Sequence, residues 1–387
     1  MTQMKKYGKL VLICLAVCLS CLLLVSCQGG EATTTEQPKE TLKPSEGLEF
    51  IYYKDEDFYQ VTDIGSCQDS EVVVPLTYQG KPVTGVTREA FYQCETITSI
   101  VLQDGVTEIG DEAFQKCPNL SSVTFPSSLV HIEGGLFWES AYYNDPNNWE
   151  NGVLYVGQHL INADEAIESC AVKEGTLTIA DNAFSHCQNL ASITLPESVR
   201  NIGCDAFSDC GALESIALPS AVTKIRRGTF QNCEKLAIIT IPDSVTDIGS
   251  EAFENTAYYN QKSNWKNGVL YIGKCLLTAE DTVTFCVVEN GTKGIAKGAF
   301  KNCKELKSVI LPDGLVHIGE GAFSRCDKLA GVFIPKSVTT IDWAAFFSCD
   351  NLVIYCEAKN KPTTWNDGWV GSDARVEWDQ GWWYEEQ

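Results

Sequence analysis

Apolar positions recur along this chain at intervals of 23 residues, with small and polar residues between them. One unit runs Leu190, Ile193, Leu195, Pro196, Val199, Ile202, Gly203, Ala206, Phe207, Cys210. The alternation at Ile193 and Leu195 predicts a short strand with those side chains inward and Ser192 and Thr194 outward. Pro196 lacks an N–H and ends the strand at a turn. Val199 and Ile202 return to the core, Gly203 permits a tight bend, and Phe207 fills the interior. The phenylalanines stand at 91, 114 and 137, then 184, 207, 230 and 253, then 300, 323 and 346. So small a unit cannot bury its own apolar face and is stable only against its neighbours.

Two steps, 137 to 184 and 253 to 300, are 47 residues long and read as 23 plus 24, with one altered turn in each. Within them Ile167, Cys170 and Val172 align with Leu190, Ile193 and Leu195. The inserts, 138–166 and 254–282, are copies offset by 116 residues, so a whole block of repeats is duplicated. Asn151-Gly152 and Asn267-Gly268 are turn signals between β-prone residues. The insert aromatics Tyr142, Tyr143, Trp149 and Tyr155, with Tyr258, Tyr259, Trp265 and Tyr271, are candidate ligand contacts; the competing reading makes them core for the altered turn. Counting each long step as two turns gives about twelve turns. Segments 48–85 and 357–387 read as covers for the ends, the second rich in tryptophan (Trp365, Trp369, Trp378, Trp382, Trp383). The outward strand positions are mostly small and uncharged, as at Ser122 and Thr124 or Ser192 and Thr194. The residues that favour binding hot spots, Trp, Tyr and Arg, are missing there, and aromatics arrive only at Phe333 and Tyr355.

The full pattern, Leu-x-x-Ile-x-Leu-Pro-x-x-Val-x-x-Ile-Gly-x-x-Ala-Phe-x-x-Cys, closely resembles the BspA-type (Treponema-type) leucine-rich repeat over residues 86–356. The resemblance implies a curved right-handed solenoid with a parallel sheet on its concave face. It also implies a surface adhesin or binding protein.

The start of the chain has another character. Lys5, Lys6 and Lys9 precede an apolar run from Leu10 to Val25, the pattern of a secretion signal, with an uncleaved membrane anchor as the rival reading. Leu24-Val25-Ser26-Cys27 resembles a bacterial lipobox, which implies removal of residues 1–26 and acylation of Cys27. Residues 27–47 carry Thr, Pro and charge with little to bury, and read as a disordered tether. The expected location is the outward-facing cell envelope, with the membrane reached through the lipid alone.

Removal of the three signal lysines leaves 26 basic against 51 acidic side chains, a charge of −25. Nucleic acid and anionic membrane surfaces are then poor partners. Eighteen cysteines in an exported chain usually mean disulfides. Here eight of them occupy the Ala-Phe-x-x-Cys slot, where free Cys packs as a small hydrophobe. Zinc is not expected, because no Cys-x-x-Cys occurs and His131, His159, His186 and His317 fall at unrelated places in their repeats. No nucleophile elbow, zinc-protease helix or phosphate loop is present. The reading is a non-enzymatic monomer without cofactors that binds an extracellular protein or glycan. A display module of the envelope is the alternative, and an envelope hydrolase a remote one. Cys27→Ala is expected to abolish incorporation of labelled fatty acid and leave an unprocessed precursor; normal maturation of that variant would refute the lipobox.

Overall fold

The computed structural model describes residues 42–350 and 352–381. The signal segment 1–26, Cys27, the tether up to residue 41, Trp382 and Trp383 lie outside the described residues.

Each regular turn supplies two short strands, and each strand pairs in parallel with its counterpart in the next turn. Ser169–Ala171 pairs with Ser192–Thr194, Cys170 opposite Ile193. Thr178–Ile179 pairs with Asn201–Ile202. Both strands are short because each has one large inward residue, Ile193 or Ile202, flanked by turns. The first ladder begins at Glu71–Val73 and ends at Arg375–Glu377. Both end strands lie in the covers, which therefore extend the stack, and the solenoid has about fourteen turns where ten phenylalanines and two long steps count twelve.

A third set of contacts flanks the phenylalanine. The N–H groups of Asp205, Phe207 and Asp209 donate to the carbonyls of Arg227, Thr229 and Gln231, each at 2.9 Å. Glu89, Phe91 and Gln93 do the same to Asp111, Ala113 and Gln115 at 2.9 to 3.0 Å. Residues two before and two after each phenylalanine are left-handed, as at Asp205 (φ 52°) and Asp209 (φ 61°), which turns alternate N–H groups toward the next turn. The rings stack in register: Phe207 and Phe230 have centroids 5.4 Å apart and planes 3° apart. Phe300 and Phe323 lie at 5.0 Å and 8°.

The cysteine slot serves the same contact. Cys117, Cys233 and Cys349 each donate Sγ–H to the carbonyl of the phenylalanine one turn back (Phe91, Phe207, Phe323) at 3.0 Å. Cysteine thus combines a small apolar volume with one weak donor for a buried carbonyl. All fourteen described cysteines are free. Burial pushes the thiols of Cys117 and Cys187 up to about 12, so little thiolate forms near neutral pH.

Gly203 does not make the bend expected of it. Its φ lies outside the left-handed region, and a Cβ there would stand 2.4 Å from the Asp181 nitrogen. Gly110 and Gly249 face their preceding turns in the same way, at 2.2 and 2.5 Å. Glycine is required at these positions by the close approach of neighbouring turns.

The altered turns do not split 23 plus 24. Ala163 and Ala279 take the phenylalanine's place, donating N–H to the carbonyls of Ala183 and Ala299 at 2.8 Å. The step from Phe137 is then 26 residues, and that onward to Phe184 is 21. The extra length goes into a helical turn, Ala141–Asn144, capped by Ser140, and three antiparallel strands, Trp149–Glu150, Val153–Val156 and His159–Ala163. Asn151 (φ 53°) and Gly152 (φ 79°) form the tight turn between the first two strands. The last strand joins the second ladder in parallel with Thr178–Ile179. The second insert repeats this, with Thr256 as the cap. At the C-terminal end the Trp369 carbonyl accepts the Phe346 N–H at 3.0 Å, and its ring meets Phe346 edge-on. Trp365 and Trp369 are both 2% exposed.

Phe207 is wholly buried in mid-stack, whereas Glu214 projects outward. Phe207→Ala should cost about 3–5 kcal/mol in denaturant unfolding. Glu214→Ala should stay within about 0.5 kcal/mol. Equal losses from the two would contradict the register.

Candidate functional site

The outward side chains of the first ladder change character along the stack. Ser122, Thr124, Ser192, Thr194, Ser215 and Ala217 give the N-terminal rungs a small, polar face. From Ile238 onward apolar groups enter these positions, although Thr240 and Ser308 remain polar: Ile238 is 67% exposed, Phe285 54% and Val287 57%. Ile310, Phe333 and Tyr355 continue the series on the next three rungs, in the strands Ser308–Ile310, Gly331–Ile334 and Val353–Cys356. Phe333 is paired with Tyr355 across the ladder. Gly331 has no side chain in this row, and the gap opens a groove of about 640 Å³ bordered by Ser308, Ile310, Phe333, Tyr355 and Gln380. Phe333 and Tyr355 were legible as the first aromatics of the face. Phe285, Val287 and Ile310 were missed, although the outward first and third positions of each strand, read to the end of the chain, would have shown them.

The eight insert aromatics are all half-buried. Much of their polar capacity is spent internally. Tyr142 donates its O–H to the Tyr155 carbonyl at 2.8 Å, and Trp149 Nε1 donates to the Tyr143 carbonyl at 2.8 Å. Tyr258 and Trp265 repeat these bonds to Tyr271 and Tyr259 at 2.7 Å. Tyr155 and Tyr271 accept the backbone N–H groups of Lys173 and Glu289. Structure therefore explains most of the set. Tyr143 and Trp149, edge-to-face at 5.1 Å, also border an open cavity of about 840 Å³ with Asn144, Asn162, Glu165 and Asn182. The second copy differs at several positions around this cavity, one of them beside the tryptophan. Where the first has Pro146, the second has Lys262, whose Nζ lies 5.0 Å over the Trp265 ring and 3.1 Å from Glu280. That lysine covers the aromatic face which the first copy leaves to its cavity.

A family model for the BspA type leucine rich repeat region matches residues 84–146, 155–284 and 271–360, in six copies. The chain belongs to the BspA-type leucine-rich repeat family. No curated protein matches it. Among solved structures it is similar to a T. pallidum leucine-rich repeat protein, with 21% identity over 68% of this chain and 90% of that one, at a TM-score of 0.29. A Bacteroides ovatus leucine-rich repeat protein is 23% identical, with 84% and 89% covered and a TM-score of 0.30. The pneumococcal vaccine antigen PcpA is 17% identical, with 87% and 85% covered and a TM-score of 0.24. No helix among the described residues is long and apolar enough to cross a membrane.

On this BspA-type stack the histidines are less scattered than the sequence suggested. His131 and His317 both precede the buried isoleucine of the second ladder, Ile132 and Ile318. Each lies close to an insert, and each faces acidic side chains from other turns. His131 Nε2 is 3.2 Å from both Asp181 oxygens, a contact that spans the first insert, and Asp181 also accepts the Cys204 N–H at 2.8 Å. Asp181, with Cys204 beside it, raises His131 from 6.5 to about 9, against the opposing effects of burial and Arg226. A pKa raised on folding stabilises the fold at low pH. The contribution is complete below about 6.5 and disappears as pH rises through about 9. The difference in melting temperature between the native chain and His131→Ala should accordingly be constant in acid and vanish across that window; a difference that grows above pH 9 would refute the pairing.

Proposed function

We propose that this protein is a surface-anchored binding protein, held to a membrane by lipid on Cys27, whose sheet-face groove receives apolar side chains of a protein partner. One observation carries the reading. A row of small and polar outward residues gives way to exposed Ile238, Phe285 and Val287 and to partly buried Ile310, Phe333 and Tyr355, with a groove at Gly331. Exposed apolar groups gathered on one face are unfavourable in water unless something covers them, and contiguous patches of this kind mark interaction sites. Aromatic anchors beside a recess supply most of the affinity in such interfaces. The groove mixes apolar Val309, Ile310, Leu311, Val332 and Phe333 with Lys307, Ser308, Tyr355 and Gln380, and its apolar share favours a protein over a sugar. Charge points to a neutral or basic partner, since the mature chain carries −25.

The first insert supports a second reading. Tyr143 and Trp149 beside Asn144, Asn162, Asn182 and Glu165 combine ring faces with amide and carboxylate groups, a set suited to a glycan. The two readings separate in one experiment. The mature protein is applied to arrays of extracellular matrix proteins and glycans, with Phe333→Ala/Tyr355→Ala and Trp149→Ala/Asn162→Ala run in parallel. A protein ligand whose affinity drops at least tenfold in the first variant alone supports the groove. A glycan lost only in the second moves the site to the insert. Binding unchanged in both, or no binding at all, leaves a display module of the envelope as the better description.

A further inference from the structure

We infer that Asp247, His317 and Asp342 bind a divalent metal ion of the zinc class on the second ladder, beside the second insert. The three residues come from turns on both sides of that insert. Asp247 lies in the strand Asp247–Ile248 before it, His317 in His317–Ile318 beyond it, and Asp342 directly follows Thr340–Ile341. Between Asp247 and His317 runs the strand Gly294–Ile295, which contributes no side chain at this level. A Cβ on Gly294 would stand 1.9 Å from the Thr246 carbonyl oxygen. The corresponding residue of the first block, 116 positions earlier, is Thr178, whose hydroxyl donates to the Leu129 carbonyl at 3.1 Å. Glycine is thus required here by the close approach of the Thr246 backbone, and His317 faces Asp247 although 70 residues separate them in sequence.

His317 is 6% exposed. Its Nδ1 lies 2.8 Å from Thr340 Oγ1, while Nε2 is fully buried and has no hydrogen-bond partner. Nε2 points at Asp247 Oδ1, 3.6 Å away, and Asp342 Oδ2, 3.5 Å away. These separations are long for a hydrogen bond, where ~2.7–2.9 Å is normal between charged partners. They are close to the ~3.3–3.4 Å that separates two ligands of a tetrahedral ion with bonds of ~2.0–2.1 Å. All three donor atoms lie within 4.8 Å of one another. A buried ring nitrogen without a partner is costly, and a cation among the three atoms would satisfy it.

The surrounding groups hold the donors in the state a metal needs. Thr340 can accept the Nδ1 proton, which leaves the Nε2 lone pair facing inward. Lys224 Nζ lies 2.6 Å from Asp247 Oδ2, fixing that carboxylate with Oδ1 toward the site. One imidazole and two carboxylates suit zinc and its neighbours, whereas calcium takes six to eight oxygens. Asp342 is partly exposed, so a fourth position opens to solvent. An ion here would clamp the turns that the insert separates.

The test uses the untagged mature chain, freed of metal by chelation and dialysis, and titrated with Zn²⁺ by calorimetry with elemental analysis of the bound ion. One equivalent should bind and raise the melting temperature. Asp342→Asn and His317→Gln should each weaken binding at least tenfold and remove the thermal shift. Thr340→Val, which touches the ion only through His317, should weaken it roughly 10- to 100-fold. Asp342→Asn changes a partly exposed side chain without altering its shape, so it folds even where His317→Gln does not. Native protein that binds no more Zn²⁺ than Asp342→Asn overturns the site, as does equal stabilisation by Ca²⁺.

Discussion

Seven regular turns of this chain direct three backbone N–H groups, at the phenylalanine and two residues either side of it, to carbonyls of the turn that follows. The ladder around each phenylalanine runs one way, and the rest of the molecule depends on it. Its direction comes from left-handed residues two positions either side of the ring, such as Asp205 and Asp209. A one-way ladder must be closed at its far end by something that supplies carbonyls and no further turn. Gly368 and Trp369 do so for Ala344 and Phe346, and the Trp369 ring covers the last phenylalanine. The cysteines follow from the same constraint, since their thiols reach back to the phenylalanine carbonyls that the ladder leaves over.

Residues pointing away from this frame carry no structural duty and can vary. The sheet face uses that freedom to shift from serine and threonine to phenylalanine and tyrosine without disturbing Cys286, Val309 or Val332 beneath. The inserts use it differently. They leave the ladder, form a small antiparallel unit of their own, and return at Ala163 and Ala279 with one of the three hydrogen bonds kept. The clustered histidine and aspartate groups arise near these places, where turns far apart in sequence come together.

The solenoid, its strand faces and its buried cysteines were legible because each rests on a side chain repeated ten times or nearly so. The left-handed positions were not, because Glu89, His186, Arg325 and Ala344 share no chemistry that marks a turn. The role of Gly203 was misread for a related reason: a glycine in sequence signals freedom of φ, and only coordinates reveal the Asp181 backbone beside it. The insert aromatics were found, but their hydrogen bonds to each other's backbone were hidden. The apposition of Asp247, His317 and Asp342 was beyond reach, because it depends on the strand Gly294–Ile295, which follows the insert, passing between them with glycine at that level.

The difference between Pro146 and Lys262 has an evolutionary consequence. Duplication of a repeat block placed two versions of one aromatic unit in a single polypeptide, and the scaffold demands the same internal bonds of both. The rims are free to differ, and they do at several positions, Pro146 and Lys262 among them. Where that residue is proline the tryptophan borders the cavity, and where it is lysine, salt-bridged to Glu280, an ammonium group lies over the ring. One polypeptide therefore carries two rims of different chemistry on the same internally bonded unit.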